Sequence, residues 1–332
     1  MAAQQLRHRH PSRSSVSSTD EGGIELTPFG DPPSLSTTTS SVVVDSPPPY
    51  SPPSSSGITS FRATVQLQIE TPGKPLLSLP LPPRPDPITV STATRSPHSS
   101  TSVLEPKFVS VRPSRGSGSC YLIPAHPSSP TTGNTEEEEE LSTTTYRFGP
   151  GRSPIVRLFS PHRHTHSDND EVEGVEEFEL KSVGLLTRAV TFKTQRLGGG
   201  GVFEWRYAGR KERRTYQQTT GMEVNNLLVL ERVVKIHAAR NTNGRDEDVR
   251  TPVAYLVRNE EYRSVGSSAS SAGNGGRLLV DMSLWGDETR KGETEMGLVM
   301  VVTTCLAMLK KEVDRRRAQQ IAILAGGGSG GP

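Results

Sequence analysis

Tryptophan, cysteine and long apolar runs are all scarce in this sequence, and each shortage excludes something. Two cysteines, Cys120 and Cys305, are too few for a disulfide framework. They read as reduced thiols of an intracellular chain. The main apolar run, residues 296–309, is 14 residues long. About 20 are needed to cross a bilayer as a helix, so no transmembrane span is expected. The first ten residues hold no apolar core for a secretory signal. Residue 2 is Ala2, not the glycine that myristoylation requires, and no prenylation cysteine stands at the end. The expected location is the cytoplasm or nucleus, with membrane contact only from the surface. A net charge of +2 gives no support for nucleic-acid binding.

Only 32% of residues are hydrophobic, low for a chain folded throughout, and the shortage is uneven. Of 27 prolines, 22 precede residue 141, and both tryptophans, Trp205 and Trp285, follow it. The composition predicts a disordered Pro/Ser/Thr-rich region over 1–140, a folded domain over 141–325 and a flexible Gly-rich tail over 326–332. Within the first region one short alternation runs from Phe61 through Val65 and Leu67 to Ile69. It could form a strand on a partner, but the surrounding composition favours disorder.

The sharpest motif of this region is Pro47-Pro48-Pro49-Tyr50. Consecutive prolines preset a polyproline II helix, so docking costs little entropy. The pattern resembles the ligand of WW domains, which implies a WW-domain partner such as a ubiquitin ligase. Leu79-Pro80-Leu81-Pro82-Pro83-Arg84-Pro85 resembles an SH3 ligand, a match that proline-rich segments make cheaply. Ser46 and Ser51 precede prolines, and phosphorylation there would place about −2 charge beside Tyr50.

After residue 140 the pattern becomes one of short alternating segments. Phe203, Trp205 and Tyr207 share one face of a strand, while Glu204 and Arg206 share the other. Similar runs recur near 145, 155, 175, 190, 226, 252 and 276, separated by Gly, Pro, Asn and Ser. One helix is evident, over about 293–317, with Glu293 and Glu295 at its start and a basic run at its end. It is apolar on every side between, so it must be enclosed on every side. The predicted fold is mainly β: an antiparallel β-barrel of about ten to twelve strands around a buried hydrophobic C-terminal helix. Val299, Val302, Cys305, Leu306 and Leu309 are expected in the core.

Taken in order, Phe203-Glu204-Trp205-Arg206-Tyr207, the aliphatic run from Leu227 to Leu230, Ala254-Tyr255, Gly276-Arg277-Leu278-Leu279-Val280 and the helix ending in Arg315-Arg316-Arg317 resemble fungal tubby C-terminal-like domains. These are relatives of the LURP-one and phospholipid-scramblase families. The resemblance covers about 145–320. It implies a barrel of about twelve strands around a C-terminal helix, and a lipid head group as one class of ligand.

Arg206, Arg210, Lys211, Arg213 and Arg214 form a basic cluster, expected as a hairpin after the Phe203 strand and as the candidate contact for anionic lipid. Other chemistry is weaker. His162, His164 and His166 have the alternate spacing of metal ligands but sit in a very polar loop. Gly198 to Gly201 lack the following Lys-Ser or Lys-Thr of a phosphate loop and read as a hairpin. Cys305 reads as inert packing, and His237 has no nucleophile partner. No catalytic, metal or cofactor residues are assigned. The expected function is a non-enzymatic adaptor, with a barrel that binds a membrane lipid or protein and a tail that recruits WW-domain proteins. A scramblase-like lipid-handling protein and an uncharacterised enzyme are the alternatives.

Overall fold

Thirteen strands form among the described residues, most of them rich in β-branched and aromatic side chains. The computed structural model describes residues 61–80, 87–95, 102–114, 117–125, 140–147, 152–160, 175–184, 187–197, 200–236, 247–286 and 291–326. Strands β1 (Val65–Glu70), β2 (Ile88–Arg95), β3 (Ser102–Val111), β4 (Ser119–Pro124), β5 (Ser142–Thr145), β6 (Ile155–Phe159) and β7 (Val175–Glu179) come first. β8 (Lys181–Ser182), β9 (Val190–Thr194) and β10 (Gly201–Tyr207) follow, then helix α1 (Arg210–Thr220). β11 (Asn226–Ile236), β12 (Glu247–Arg258) and β13 (Gly276–Val280) lead through a 3-10 turn, Met282–Trp285, to helix α2 (Lys291–Gly326). The strand count exceeds the predicted ten to twelve because the first four strands were read as disorder.

The sheet order is β7-β6-β5-β4-β3-β2-β1-β13-β12-β11-β10-β9-β8. Its two terminal strands, β7 and β8, are separated in the chain by Leu180 alone, so the sheet curls into a nearly closed antiparallel barrel. The buried Glu176 of β7 spans the seam. Its carboxylate accepts hydrogen bonds from the backbone N–H groups of Gln195, Arg196 and Leu197, just after β9. Behind them Phe178 stacks on Phe192 at 4.9 Å, and Phe192 on Phe203 at 5.5 Å.

β1 to β4 correct the expected boundary at residue 140. β1 is a central strand, paired with β2 on one side and β13 on the other, and Leu67 and Ile69 are fully buried. Two features hid this region. β2 is rich in Thr and Ser, whose β-branched or small side chains suit a strand without raising hydrophobicity. A register shift at Val90/Ser91 also breaks the alternation, and it lies where Pro106 of β3, which has no N–H, joins the ladder.

The interior is filled by α2. Residues 297–309 are buried without interruption. Val299, Val302, Cys305, Leu306 and Leu309 all lie in the main core, as the all-round apolar pattern requires. The polar groups of this segment are matched. Ser142 and Thr303 share a hydrogen bond of 2.6 Å, and Trp205 Nε1 donates to Thr304 Oγ1 at 3.0 Å. Gly297 allows the helix to lie against the Trp285 ring, since a Cβ there would stand 2.7 Å from the ring. α2 continues to residue 326, beyond the expected end at 317. No helix of the described residues is long and apolar enough to cross a membrane.

Candidate functional site

α2 leaves the barrel through one mouth. The registers place the end of β1, the start of β13, the end of β12, the start of β11, the end of β10 and the start of β9 around it. Just past Leu309 a polar collar holds the helix. Arg258, buried in the wall, donates to Glu312 through both terminal nitrogens at 2.7 and 2.8 Å. Tyr207 O–H and Gly273 N–H donate to the same carboxylate. Burial pushes the Glu312 carboxyl up, but Arg258 and the donated hydrogen bonds outweigh it and hold the group below its ordinary range. Burial, with Glu312 beside it, pushes the Tyr207 hydroxyl up to about 12.

Outside this collar lies a groove of about 720 Å³. Its floor includes Leu180, Val190, Ala307 and Met308, and its rim carries Arg147, Arg152, Lys181, Lys311 and Arg315 against Glu179 and Asp314. Five cations face two carboxylates, and both carboxylates are engaged: Glu179 by Arg147, Asp314 by Lys310. Arg152 and Arg315 form no ion pair with any described residue. Lys311 donates to Ser182 Oγ at 2.8 Å. Its amine is pushed down in pKa by burial and then by Arg315, the mark of a site that disfavours more positive charge. A bound anion reverses that penalty.

A second hollow of about 490 Å³ lies on the far side of Arg188 and Tyr207, lined also by Arg206, Arg213, Asn225 and Asn226. A small pocket lined by Arg188, Tyr207, Met308, Lys311, Glu312 and Arg315 shares residues with both. The Arg188 guanidinium stands over the Tyr207 ring at 5.4 Å and forms no ion pair with a described residue.

The predicted basic cluster is split by this geometry. The expected hairpin is helix α1, formed by straight-chain residues with good helix propensity. Gly209 caps its start, where Glu212 accepts from the Gly209 N–H, and Gly221 ends it at φ 72°. A helix without an apolar stripe shows no period to read. Arg206 is consumed: its guanidinium donates to Glu231 and, at 2.7 and 3.0 Å, to Glu212. Arg213 lines the smaller hollow and donates to Asn225 O. Arg210, Lys211 and Arg214 stay exposed on α1. Arg147, Arg152, Lys181 and Arg188 escaped the sequence reading because separate strands and loops bring them together. Lys311 and Arg315, one helical turn apart in the basic end of α2, were the only local sign.

No family model, curated protein or solved structure matches the chain. The remaining sequence candidates fall outside the groove. Cys305 is enclosed, and burial pushes its thiol up to about 12. Gly200 forms the β9–β10 hairpin turn at φ 72°. Pro47, Pro48, Pro49, Tyr50 and all eight histidines lie outside the described residues. Among the described residues, no three His, Cys, Asp or Glu side chains stand where they could share a metal.

Proposed function

We propose that the chain is a non-enzymatic adaptor that docks on an anionic membrane lipid at the barrel mouth. The observation that carries this reading is the cation excess around the mouth, with Arg152 and Arg315 in the groove and Arg188 in the adjoining hollow in no ion pair with a described carboxylate. Clustered basic residues near an anionic bilayer each contribute about 1 kcal/mol of attraction. The filled barrel favours docking over passage of a lipid through its interior. The arrangement of strands around an apolar C-terminal helix supports the resemblance to fungal tubby C-terminal-like domains. In this reading Pro47, Pro48, Pro49 and Tyr50 recruit a WW-domain protein, including a ubiquitin ligase, to the cytoplasmic side of the membrane.

Flotation of the full chain with vesicles containing phosphatidylserine or a phosphoinositide tests the barrel. Changing Arg188, Lys311 and Arg315 to Ala should weaken binding by about ten- to a hundredfold. The triple change of Arg210, Lys211 and Arg214 to Ala should have a smaller effect. Equal loss in both variants, or no flotation of the native chain, refutes the assignment to the groove. Pull-down on WW domains, comparing the native chain with Tyr50→Ala, tests the tail; equal recovery removes that part of the proposal.

A further inference from the structure

Apolar side chains left in water are spread unevenly over the barrel. Among the described residues thirteen large apolar side chains are exposed. Val103, Leu104, Val202, Val234 and Val249 lie on strand ends opposite the mouth. The other eight are on segments that border the mouth. Leu76, Leu77 and Leu79 follow β1, Val183 follows β8, Val265 precedes β13, and Ile321, Ile323 and Leu324 end α2. Leu77 is 92% exposed and Ile323 73%.

This rim is held in place. Gln320, itself buried, donates from Nε2 to Leu76 O at 2.9 Å, and Arg317 Nε donates to Pro80 O at 2.8 Å. Lys74 Nζ donates to Leu79 O at 2.7 Å, and Lys74 pairs with Ala272 across the loop that precedes β13. Arg316 donates to Ser270 O of the same loop. The polar parts of residues 74–80 are thus turned onto the helix while the leucines face outward. Monomeric proteins seldom fix an apolar rim in water without a partner for it.

Charge selects the partner. Arg315, Arg316 and Arg317 form no ion pair with a described residue, and no acidic residue follows Asp314. The acidic side chains of the neighbouring loop, Glu260 and Glu261, adjoin Tyr262, whose hydroxyl donates to Met222 Sδ on the α1 side. Apolar residues flanked by arginine match the interface of an anionic bilayer, where side chains enter the acyl boundary and guanidinium groups remain among phosphates.

We infer that the 74–80 loop and the end of α2 form a wedge that inserts into the membrane, with Leu77 and Ile323 among the acyl chains. This rests on the reading of the mouth as the membrane-facing side, and adds that docking includes apolar insertion beside the charged groove.

The test uses the full chain with Leu77→Trp, Ile323→Trp or, at the opposite end, Val249→Trp. Vesicles contain phosphatidylcholine and phosphatidylserine, with the phosphatidylcholine acyl chains brominated to quench nearby indoles. The native indoles are enclosed, Trp205 fully and Trp285 with 3% exposure, so they supply a constant background. Leu77→Trp and Ile323→Trp should blue-shift and be quenched on binding, and Val249→Trp should be unchanged. The double change of Leu77 and Ile323 to Asp should weaken vesicle binding about tenfold or more. Vesicle binding without quenching at residues 77 and 323 overturns the wedge and leaves the charged groove standing. No vesicle binding overturns both. A blue shift without vesicles that grows with protein concentration assigns the rim to a second copy of the chain and also overturns the wedge.

Discussion

Helix α2 is one continuous element with two different lives. Residues 297–309 are enclosed by the barrel wall, and their polar atoms are matched one by one. Residues 310–325 emerge from it, carry unneutralised arginines and end in exposed Ile323 and Leu324. The inner segment is specified by packing, since each large apolar side chain fully removed from water contributes about 1.5–3 kcal/mol. The outer segment gains little of that. Its composition is left free for contact with something outside the molecule. The collar at Glu312 marks the change from one regime to the other.

The comparison breaks most sharply at residue 302. Val302→Asp buries a charge with no counterion in the core and should cost more than about 4 kcal/mol, enough to abolish cooperative folding. Ile323→Asp should change stability by less than about 0.5 kcal/mol. Urea denaturation followed by circular dichroism reads both; similar losses would show that α2 is not the core of the barrel.

At the collar, Glu312→Gln leaves Arg258 buried without its counter-charge and should cost about 3 kcal/mol. It also carries a pH signature. Glu312 has a folded-state pKa below its ordinary value of 4.5. Its contribution is therefore complete above that ordinary value and is lost as pH falls through the lower, folded one. Native protein should lose stability with acid across that window more steeply than Glu312→Gln. Parallel slopes would remove the carboxylate from the account.

Within the inner segment, Thr303→Val leaves the buried Ser142 hydroxyl without its partner. It should lower stability by about 1–2 kcal/mol in the same denaturation assay. The smallest expected change is in the groove. Arg315→Ala should leave the melting temperature almost unaltered, while the Lys311 amine, observed by NMR, titrates at higher pH once its like-charged neighbour is gone. An unmoved Lys311 would mean that burial alone, the larger cause, sets its pKa.

The enclosed half of α2 and the later strands were legible because packing on a fixed partner leaves a period: none for a helix buried all round, two for β10. The earlier strands were not. Val90, Ser91 and Ala93 are all buried, so the register shift erases the alternation that would have announced β2. The groove was legible only in Lys311 and Arg315. Its other cations are distant in sequence until β7 and β8 bring the barrel round. The cluster that was visible, Arg206 with the basic residues of α1, proved divided because Glu212 and Glu231 engage Arg206.

The seam at Glu176 has its own consequence. Among the described residues twelve ladders hold the barrel together, but here one carboxylate takes the place of a ladder. Protection of the Gln195, Arg196 and Leu197 amides from hydrogen exchange therefore depends on a side chain in another strand. The three should exchange as one set, ahead of the β11–β12 amides, and Glu176→Gln should accelerate that set selectively. Selective acceleration of that set would make the seam the barrel's line of opening, with unfolding expected to begin there as an unrolling.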